Sequence, residues 1–230
     1  MIRITKEQCP NVLEKYAADW LKDYIAACSN LKRDDTEENR KRKTNAERKY
    51  NHQDIKEALK KDFAGKCAYC ESYIIHVDFG HIEHFKPKSK YPDLCFEWEN
   101  LLLACSICNG TSYKGSKFPL PEEGGPFVNP VTENPNHFFN FVFDKVTGTA
   151  TLVAKNKRGE TTLHELGLNR NELVEYRSKR VQQLAFIAIK AYEGEQKAKE
   201  LLQEAAQSGE EYAAFARMLM TRFNIPYNQP

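Results

Sequence analysis

Two Cys-x-x-Cys pairs, Cys67 with Cys70 and Cys105 with Cys108, stand near the middle of this 230-residue sequence. Each pair places two sulfur ligands within reach of one ion, and four thiolates make the closed tetrahedral site that is typical of structural Zn²⁺. Because 34 residues lie between Cys70 and Cys105, a shared ion would staple a long segment. Two disulfides or four separate core cysteines are the alternative, but paired spacing in a reducing compartment favours metal. The pairs therefore predict a structural zinc site.

A second group of side chains lies between and just after the cysteine pairs: His81, Glu83, His84, Asn100 and Asn109. Carboxylate and amide oxygens suit Mg²⁺, and a histidine ligand makes Mn²⁺ more acceptable. In phosphodiester hydrolysis a metal ion stabilises charge on the phosphate, while a neutral histidine takes a proton from the attacking water. We therefore assign Glu83, Asn109 and His81 as candidate metal ligands and His84 as the candidate base. The combination suggests a nuclease.

Glu83 and His84 are adjacent in the sequence, and adjacent residues of a strand point to opposite faces. Both can face one phosphate only at a bend or at a strand end, and Pro87 fits such an end. A histidine beside a glutamate is more often structural than catalytic, so the pair alone does not establish a base. The clustering of titratable groups around it favours the catalytic interpretation.

Lysines surround the candidate site at Lys86, Lys88, Lys90 and Lys114, where they could hold the phosphates that flank a scissile bond. Phosphate contacts carry no base information, so the pattern does not separate DNA from RNA. The basic run at 40–49 is interpreted as the solvated face of a helix, since charge runs usually interact only with water. A net charge of +2 does not by itself indicate a nucleic-acid partner.

Four segments together resemble an HNH endonuclease of the ββα-metal class: GKCAYCE at 65–71, HIEHFKPKS at 81–89, NLLLACSICN at 100–109 and Lys114-Gly115. More narrowly, the sequence resembles the HNH subunit of Septu and retron-associated phage-defence systems, which accompanies an ABC-type ATPase. This resemblance implies an effector of phage defence whose nuclease the ATPase gates. It implies DNA as the substrate before RNA, with an RNA such as tRNA as the alternative.

The resemblance also implies a role for each matched residue. His84 is the first His of HNH and the general base, and Glu83 replaces the metal-binding acid before it. Asn100 is the middle Asn, which ties the loop and orients His84, and Asn109 takes the last HNH position and completes the metal site. Glu stands where many HNH enzymes have Asp, and Asn where many have the final His, so both Mg²⁺ and Mn²⁺ remain candidate catalytic metals.

The elements that must position these residues follow from the hydrophobic pattern. Apolar residues at three- and four-residue spacing predict a helix that begins near Pro10, and a second helix that Gly65 ends before Cys67. Propensity and turn signals predict further elements around the cysteines. These are strands at 73–77, 82–85 and 101–104, and a helical segment at 108–114.

The C-terminal half reads as a connection followed by a hairpin and helices. Prolines at 119–136 mark the connection, and alternating phenylalanines at 139–143 with the run 149–154 predict a β-hairpin that packs on the core or on a helix. Two capping boxes, one of Asn169 with Glu172 and one of Ser208 with Glu211, are predicted to open a long helix and a final helix.

The fold class predicted from these elements is α+β, with a zinc-stapled ββα core between N-terminal helices and a C-terminal hairpin plus helices. The expected divisions are 1–66, 67–120 and 121–230. A composition of 41% hydrophobic and 29% charged residues is ordinary for a globular protein. No run approaches the ~18 apolar residues of a membrane span. Residues 1–9 carry no apolar leader, so we expect a cytoplasmic location.

One interpretation from a different class stays open, in which the chain is a non-catalytic zinc-ribbon adaptor that binds nucleic acid or an ATPase. It would need the paired cysteines but neither Glu83 nor His84. The remaining cysteines and histidines have no assigned chemistry, and we expect core packing for the cysteines and structural or surface positions for the histidines. These residues are Cys9, Cys28, Cys95, His52, His76, His137 and His164.

Overall fold

A computed structural model describes residues 1–227, and within them it has eight α-helices and two separate two-stranded antiparallel sheets, which confirms the α+β class. The helices are α1 (Asn11–Arg33), α2 (Glu37–Glu47), α3 (Gln53–Asp62), α4 (Ser106–Asn109), α5 (Lys157–Glu165), α6 (Asn171–Tyr192), α7 (Gln196–Ala205) and α8 (Ala213–Arg222). The strands are β1 (His81–His84), β2 (Leu101–Ala104), β3 (Phe139–Phe143) and β4 (Ala150–Ala154).

The first sheet lies between the two cysteine pairs. β1 and β2 are antiparallel, with Glu83 opposite Leu102, and α4 follows β2 directly, so the order strand, loop, strand, helix is as predicted. All four residues of β2 are apolar and fully buried. A strand that buries both faces gains about 2 kcal/mol from each large aliphatic side chain, which anchors the sheet in the core.

Two predicted elements beside this sheet are wrong. The segment 73–77 is not a strand: Tyr73 makes one isolated bridge with Lys66, and the next residues turn because the Val77 and Asp78 N–H groups both donate to the Ile74 carbonyl. The helix predicted at 108–114 begins earlier, at Ser106, and ends at Asn109. Cys105 caps it, since its Sγ accepts from the Cys108 N–H at 3.3 Å.

The N-terminal helices lie against the first sheet and its loop. α1 begins one residue after Pro10, as predicted, and α3 ends before Gly65, which has a left-handed φ of 68°. The charged stretch forms α2, in which lysine and arginine side chains pair with glutamates four residues away; two of the three pairs are exposed and the Lys43–Glu47 pair is half-buried. Such pairs add only about 0.3–0.5 kcal/mol each, so α2 depends mainly on its packing against α1.

The predicted β-hairpin is present as β3 and β4, and it packs on a helix through Phe141, whose ring centroid lies 5.3 Å from that of Phe215 in α8. The free edge of β4 bonds to side chains near the start of α6. Ala150 N–H donates to Ser178 Oγ at 2.8 Å, and Arg177 Nε donates to the Ala150 carbonyl at 2.9 Å. The helices α5 and α7 were not predicted.

Both predicted capping boxes are wrong, because tertiary contacts use the same side chains. Asn169 Oδ1 accepts from the Leu152 N–H at 3.0 Å and its Nδ2 donates to the Leu152 carbonyl at 2.8 Å, so this side chain serves β4. Glu211 Oε1 accepts from the Tyr73 N–H at 2.9 Å, and Ser208 Oγ accepts from Arg217 at 2.9 Å. None of these three side chains caps a helix.

One continuous hydrophobic core contains buried residues of all three predicted divisions, from Met1 to Ile225, and the division boundaries themselves stay predictions. Cys95 is fully buried in this core, while Cys9 and Cys28 are half-buried against it. Within residues 1–227, every helix is too short or too polar to cross a membrane.

We expect Arg177→Ala to lower the free energy of unfolding by about 3 kcal/mol or more, because it leaves buried acceptors without a donor. The guanidinium is 2% exposed and donates to the Ala150 and Leu168 carbonyls and to Asn169 Oδ1. Urea titration followed by circular dichroism measures the change. Lys179→Ala on the exposed side of α6 is the control and should stay within about 0.5 kcal/mol of the unsubstituted protein.

Candidate active site

The four paired cysteines meet at one point. Their Sγ atoms all lie within 4.8 Å of one another and all four residues are buried. The Ala68 N–H, between the first two cysteines, donates to the Leu103 carbonyl of β2 at 2.8 Å, which fixes the first pair against the sheet. Four sulfurs at this spacing fit a single tetrahedral metal ion, and a set of thiolates alone suits Zn²⁺.

Arg170 lies beside this cluster, with its Nη1 atom 3.5 Å from Cys108 Sγ. Burial by itself would lower the pKa of Arg170. The cysteines beside it have the larger combined effect and hold that pKa above its ordinary value. A guanidinium here offsets the negative charge that four thiolates retain around a divalent ion. The contact also joins the cluster to the start of α6.

A second feature, the active-site cavity, has a volume of about 420 Å³ and is lined by Glu83, His84, Lys88 and Asn109 among others. His84 is the last residue of β1, so the sequence analysis was correct that the two neighbours require a strand end to face one space. Asn109 enters from the last position of α4. The cysteine cluster therefore holds both elements that supply these side chains.

The His84 ring is oriented from two sides. Its Nε2 lies 2.9 Å from the Cys95 carbonyl oxygen, and because a carbonyl only accepts, Nε2 carries the proton and Nδ1 keeps its lone pair. The Tyr50 ring packs against it edge to face, with the ring planes at 84° and the centroids 4.6 Å apart. Burial, and then the charge of Lys88, lower the pKa of His84 to about 4, so the imidazole is neutral at pH 7.

Glu83 is buried and paired. Its Oε1 lies 2.8 Å from Lys114 Nζ and accepts from the Tyr69 hydroxyl at 3.3 Å. Burial is the largest influence on both partners, raising the pKa of Glu83 and lowering that of Lys114. Lys114 is 0% exposed, so the expectation that it contacts phosphate is corrected: it holds a carboxylate inside the protein.

Asn100 ties the loop that follows β1. Its Oδ1 accepts from the Lys86 N–H at 2.8 Å, and its Nδ2 donates to the carbonyls of Lys86 and Leu94, each at 3.0 Å. The Asn100 carbonyl accepts from the Phe85 N–H at 2.9 Å. The Asn100 side chain therefore fixes the loop that follows His84, and among the described residues it makes no hydrogen bond to His84 itself.

His81 is not brought to the same place. It lies at the start of β1, its side chain is 49% exposed, and its nearest acidic partner is Asp78, at 3.7 Å. It does not line the active-site cavity within the described chain. Among the predicted phosphate contacts, Lys88 lines the cavity, whereas Lys86 and Lys90 are exposed outside it.

Comparison with known proteins agrees with this geometry. Residues 67–115 match the family model described as HNH endonuclease. The segment contains all four cysteines and Glu83, His84 and Asn109. This chain therefore contains a segment that is similar to HNH endonucleases. The prediction of this family from the sequence is confirmed.

Three relatives extend the match beyond the HNH domain. The chain is similar to a Septu protein PtuB of Bacillus mycoides, with 33% identity over 63% of this chain and 57% of the relative. A second Septu protein PtuB, from Bacillus thuringiensis, is 36% identical over 53% of this chain and 44% of the relative. A candidate HNH endonuclease of retron Vc95 from Vibrio cholerae is 30% identical over 53% of this chain and 60% of the relative. The chain thus spans less than two thirds of each of these relatives.

Residues outside the HNH domain complete its cavity, and the sequence analysis missed them. Lys43 and Glu47 reach it from α2, Tyr24 from α1 and Tyr50 from the turn after α2. Lys43 belongs to the basic run that was interpreted as solvated, so one face of that helix borders the site. No sequence signal marks Tyr50, because its contact with the His84 ring arises only in the folded chain.

We expect Cys67→Ser to remove the metal that the cluster holds and to destabilise the HNH domain, because one of four ligands is lost. Elemental analysis by mass spectrometry gives the identity and amount of metal per chain, and thermal unfolding gives the stability. Cys9→Ser, outside the cluster, should retain the metal. Equal metal content in both variants would contradict the assignment.

Proposed function

We propose that this chain is a metal-dependent nuclease that hydrolyses phosphodiester bonds, with DNA as its substrate. The observation that carries the proposal is the meeting of Glu83, His84 and Asn109 in one cavity of an HNH domain. A zinc-ribbon adaptor would not require a neutral imidazole beside a carboxylate in such a cavity. We propose Zn²⁺ for the cysteine cluster, which maintains this geometry.

In the proposed reaction His84 is the general base. Its Nδ1 lone pair accepts the proton of the attacking water while the Nε2–H bond to the Cys95 carbonyl keeps the ring in place. Tyr50 and, through the loop, Asn100 are positioning residues. Lys88 contributes positive charge at the cavity wall, where it can bind a phosphate of the substrate.

The carboxylate of Glu83 and the amide oxygen of Asn109 would hold Mg²⁺ or Mn²⁺. When bound, such an ion would stabilise the negative charge that develops on the phosphate and on the leaving oxygen. Two protein oxygens suit Mg²⁺, which usually keeps several waters and substrate oxygens in its coordination sphere. Lys114 Nζ, 2.8 Å from Glu83 Oε1, favours the charged carboxylate and opposes the burial that raises the pKa of Glu83.

The biological setting is proposed from the named relatives. Two are Septu proteins and one belongs to a retron, and we propose that this chain likewise serves anti-phage defence in the cytoplasm beside an ABC-type ATPase. Because the chain covers only part of each relative, its activity and partner both need direct tests. An ATPase that gates the nuclease would make the isolated chain weakly active.

We expect His84→Ala to lower the rate of plasmid nicking by about 10²–10⁴-fold, because general base catalysis typically contributes that much. The assay uses supercoiled plasmid with Mg²⁺, Mn²⁺ or EDTA, and matched DNA and RNA oligonucleotides identify the substrate. His164→Ala is the control, since that side chain is 86% exposed and remote from the cavity lining. A folded His84→Ala protein that cleaves at the unsubstituted rate would refute the proposed base.

Tyr50 provides a separate test of the site. Tyr50→Ala should lower kcat about two- to tenfold with little change in KM, because a ring-edge contact of this kind contributes about 0.5–1.5 kcal/mol. Tyr50→Phe keeps the ring and should restore most of the rate. If both substitutions have the same effect, the hydroxyl and not the ring contact matters.

A further inference from the structure

A second concave surface lies away from the active-site cavity. It has a volume of about 960 Å³ and is formed by the N-terminal segment, the end of α3, β3 and α8. We call it the basic groove and define it by Arg3, Lys61, Lys155, Arg217 and Arg222. It shares no lining residue with the active-site cavity within the described chain.

The basic groove concentrates positive charge. Its lining contains five lysine or arginine side chains and one acidic side chain, Asp62, so it carries a net charge of +4. The whole chain carries only +2, which means that the rest of the protein is slightly acidic. Positive charge inside a concave, low-dielectric surface focuses the field and attracts anions.

Most of this charge has no acidic partner. Lys61 Nζ lies 2.6 Å from Glu7, but the other four cations form no ion pair with a carboxylate in residues 1–227. Three of them bond instead to neutral oxygens: Lys155 to the Asn136 carbonyl, Arg222 to the Phe143 carbonyl, and Arg217 to Ala206 and Ser208. These four cations are therefore not neutralised by a neighbouring carboxylate in the described chain.

The chemistry of the lining favours phosphate as the anion. Three of the unpaired cations are guanidiniums, whose planar donors match phosphate oxygens in pairs. The side-chain amides of Asn134 and Asn140 add neutral donors beside them. The groove is also much larger than a single phosphate or carboxylate needs, so it suits a ligand with several charges.

We propose that the basic groove binds the phosphate groups of a nucleic-acid strand or of a nucleotide, as a second anion site separate from the active site. Four contacts to a single strand predict that log Kd rises with log salt at a slope of about 3. A nuclease with such a site would hold a polyanion at two places. The inference does not depend on cleavage, because it concerns binding alone.

The test measures binding by the 230-residue chain carrying His84→Ala, a substitution that prevents loss of the probe by cleavage. Fluorescence anisotropy with a labelled single-stranded DNA oligonucleotide gives Kd over a range of salt concentrations. Lys155→Glu with Arg222→Glu should weaken binding by at least about tenfold and lower the salt slope by about 1.4, which is two contacts fewer. The control Lys145→Glu with Lys197→Glu changes net charge equally at exposed positions outside the groove.

Each arm has a defined meaning. Competition by ATP at constant ionic strength would identify a nucleotide-sized site, and competition by unlabelled oligonucleotide alone would identify a strand. Equal Kd values for the groove and control variants would overturn the proposal, as would competition by polyglutamate alone, which would indicate an acidic peptide.

Lys155→Gln with Arg222→Gln should give an intermediate loss of affinity, and circular dichroism checks the fold of each variant. Plasmid cleavage by the unsubstituted chain, assayed in parallel, tests the proposed nuclease independently.

Discussion

The convergence of four sulfur atoms is the constraint on which the rest of the structure depends. The cluster joins the turn before β1 to the start of α4, and these segments bring in Glu83, His84 and Asn109. Without it, a two-stranded sheet of four-residue strands would have to hold this arrangement alone, and such small sheets are marginal in water. Arg170 extends the constraint to α6, and through Arg177 and Ser178 the same helix fixes the hairpin.

The active site is buried more deeply than its sequence indicates, and each buried charge there has a specific partner. Glu83 faces Lys114 and Tyr69, and the His84 ring faces a carbonyl and an aromatic edge. A buried carboxylate without such a partner would take up a proton instead of staying charged. These pairings would serve the roles proposed for Glu83 as a metal ligand and for His84 as a proton acceptor.

Features that depend on local chemistry were predictable from sequence. The cysteine pairs, the strand 101–104 and the hairpin depend on spacing and on alternation over a few residues, and the structure contains them. The failures arise where a side chain has two possible uses. Asn169 can cap a helix or bond to a strand, and Lys114 can face solvent or a buried carboxylate. Distant neighbours decide between these uses, and a single sequence does not show them.

Part of the active-site cavity wall comes from α1, α2 and the turn after α2. This origin bears on how the sequence can diverge in evolution. The motif contains the proposed reactive groups, but the cavity wall is partly formed by residues that precede the motif, namely Tyr24, Lys43 and Tyr50. If residues 67–115 alone were transferred to another protein, the candidate metal ligands would be kept but this wall would be lost. Substitutions in the N-terminal helices can therefore alter substrate preference while the residues proposed for the chemistry stay the same. Two proteins with identical motifs need not cut the same target.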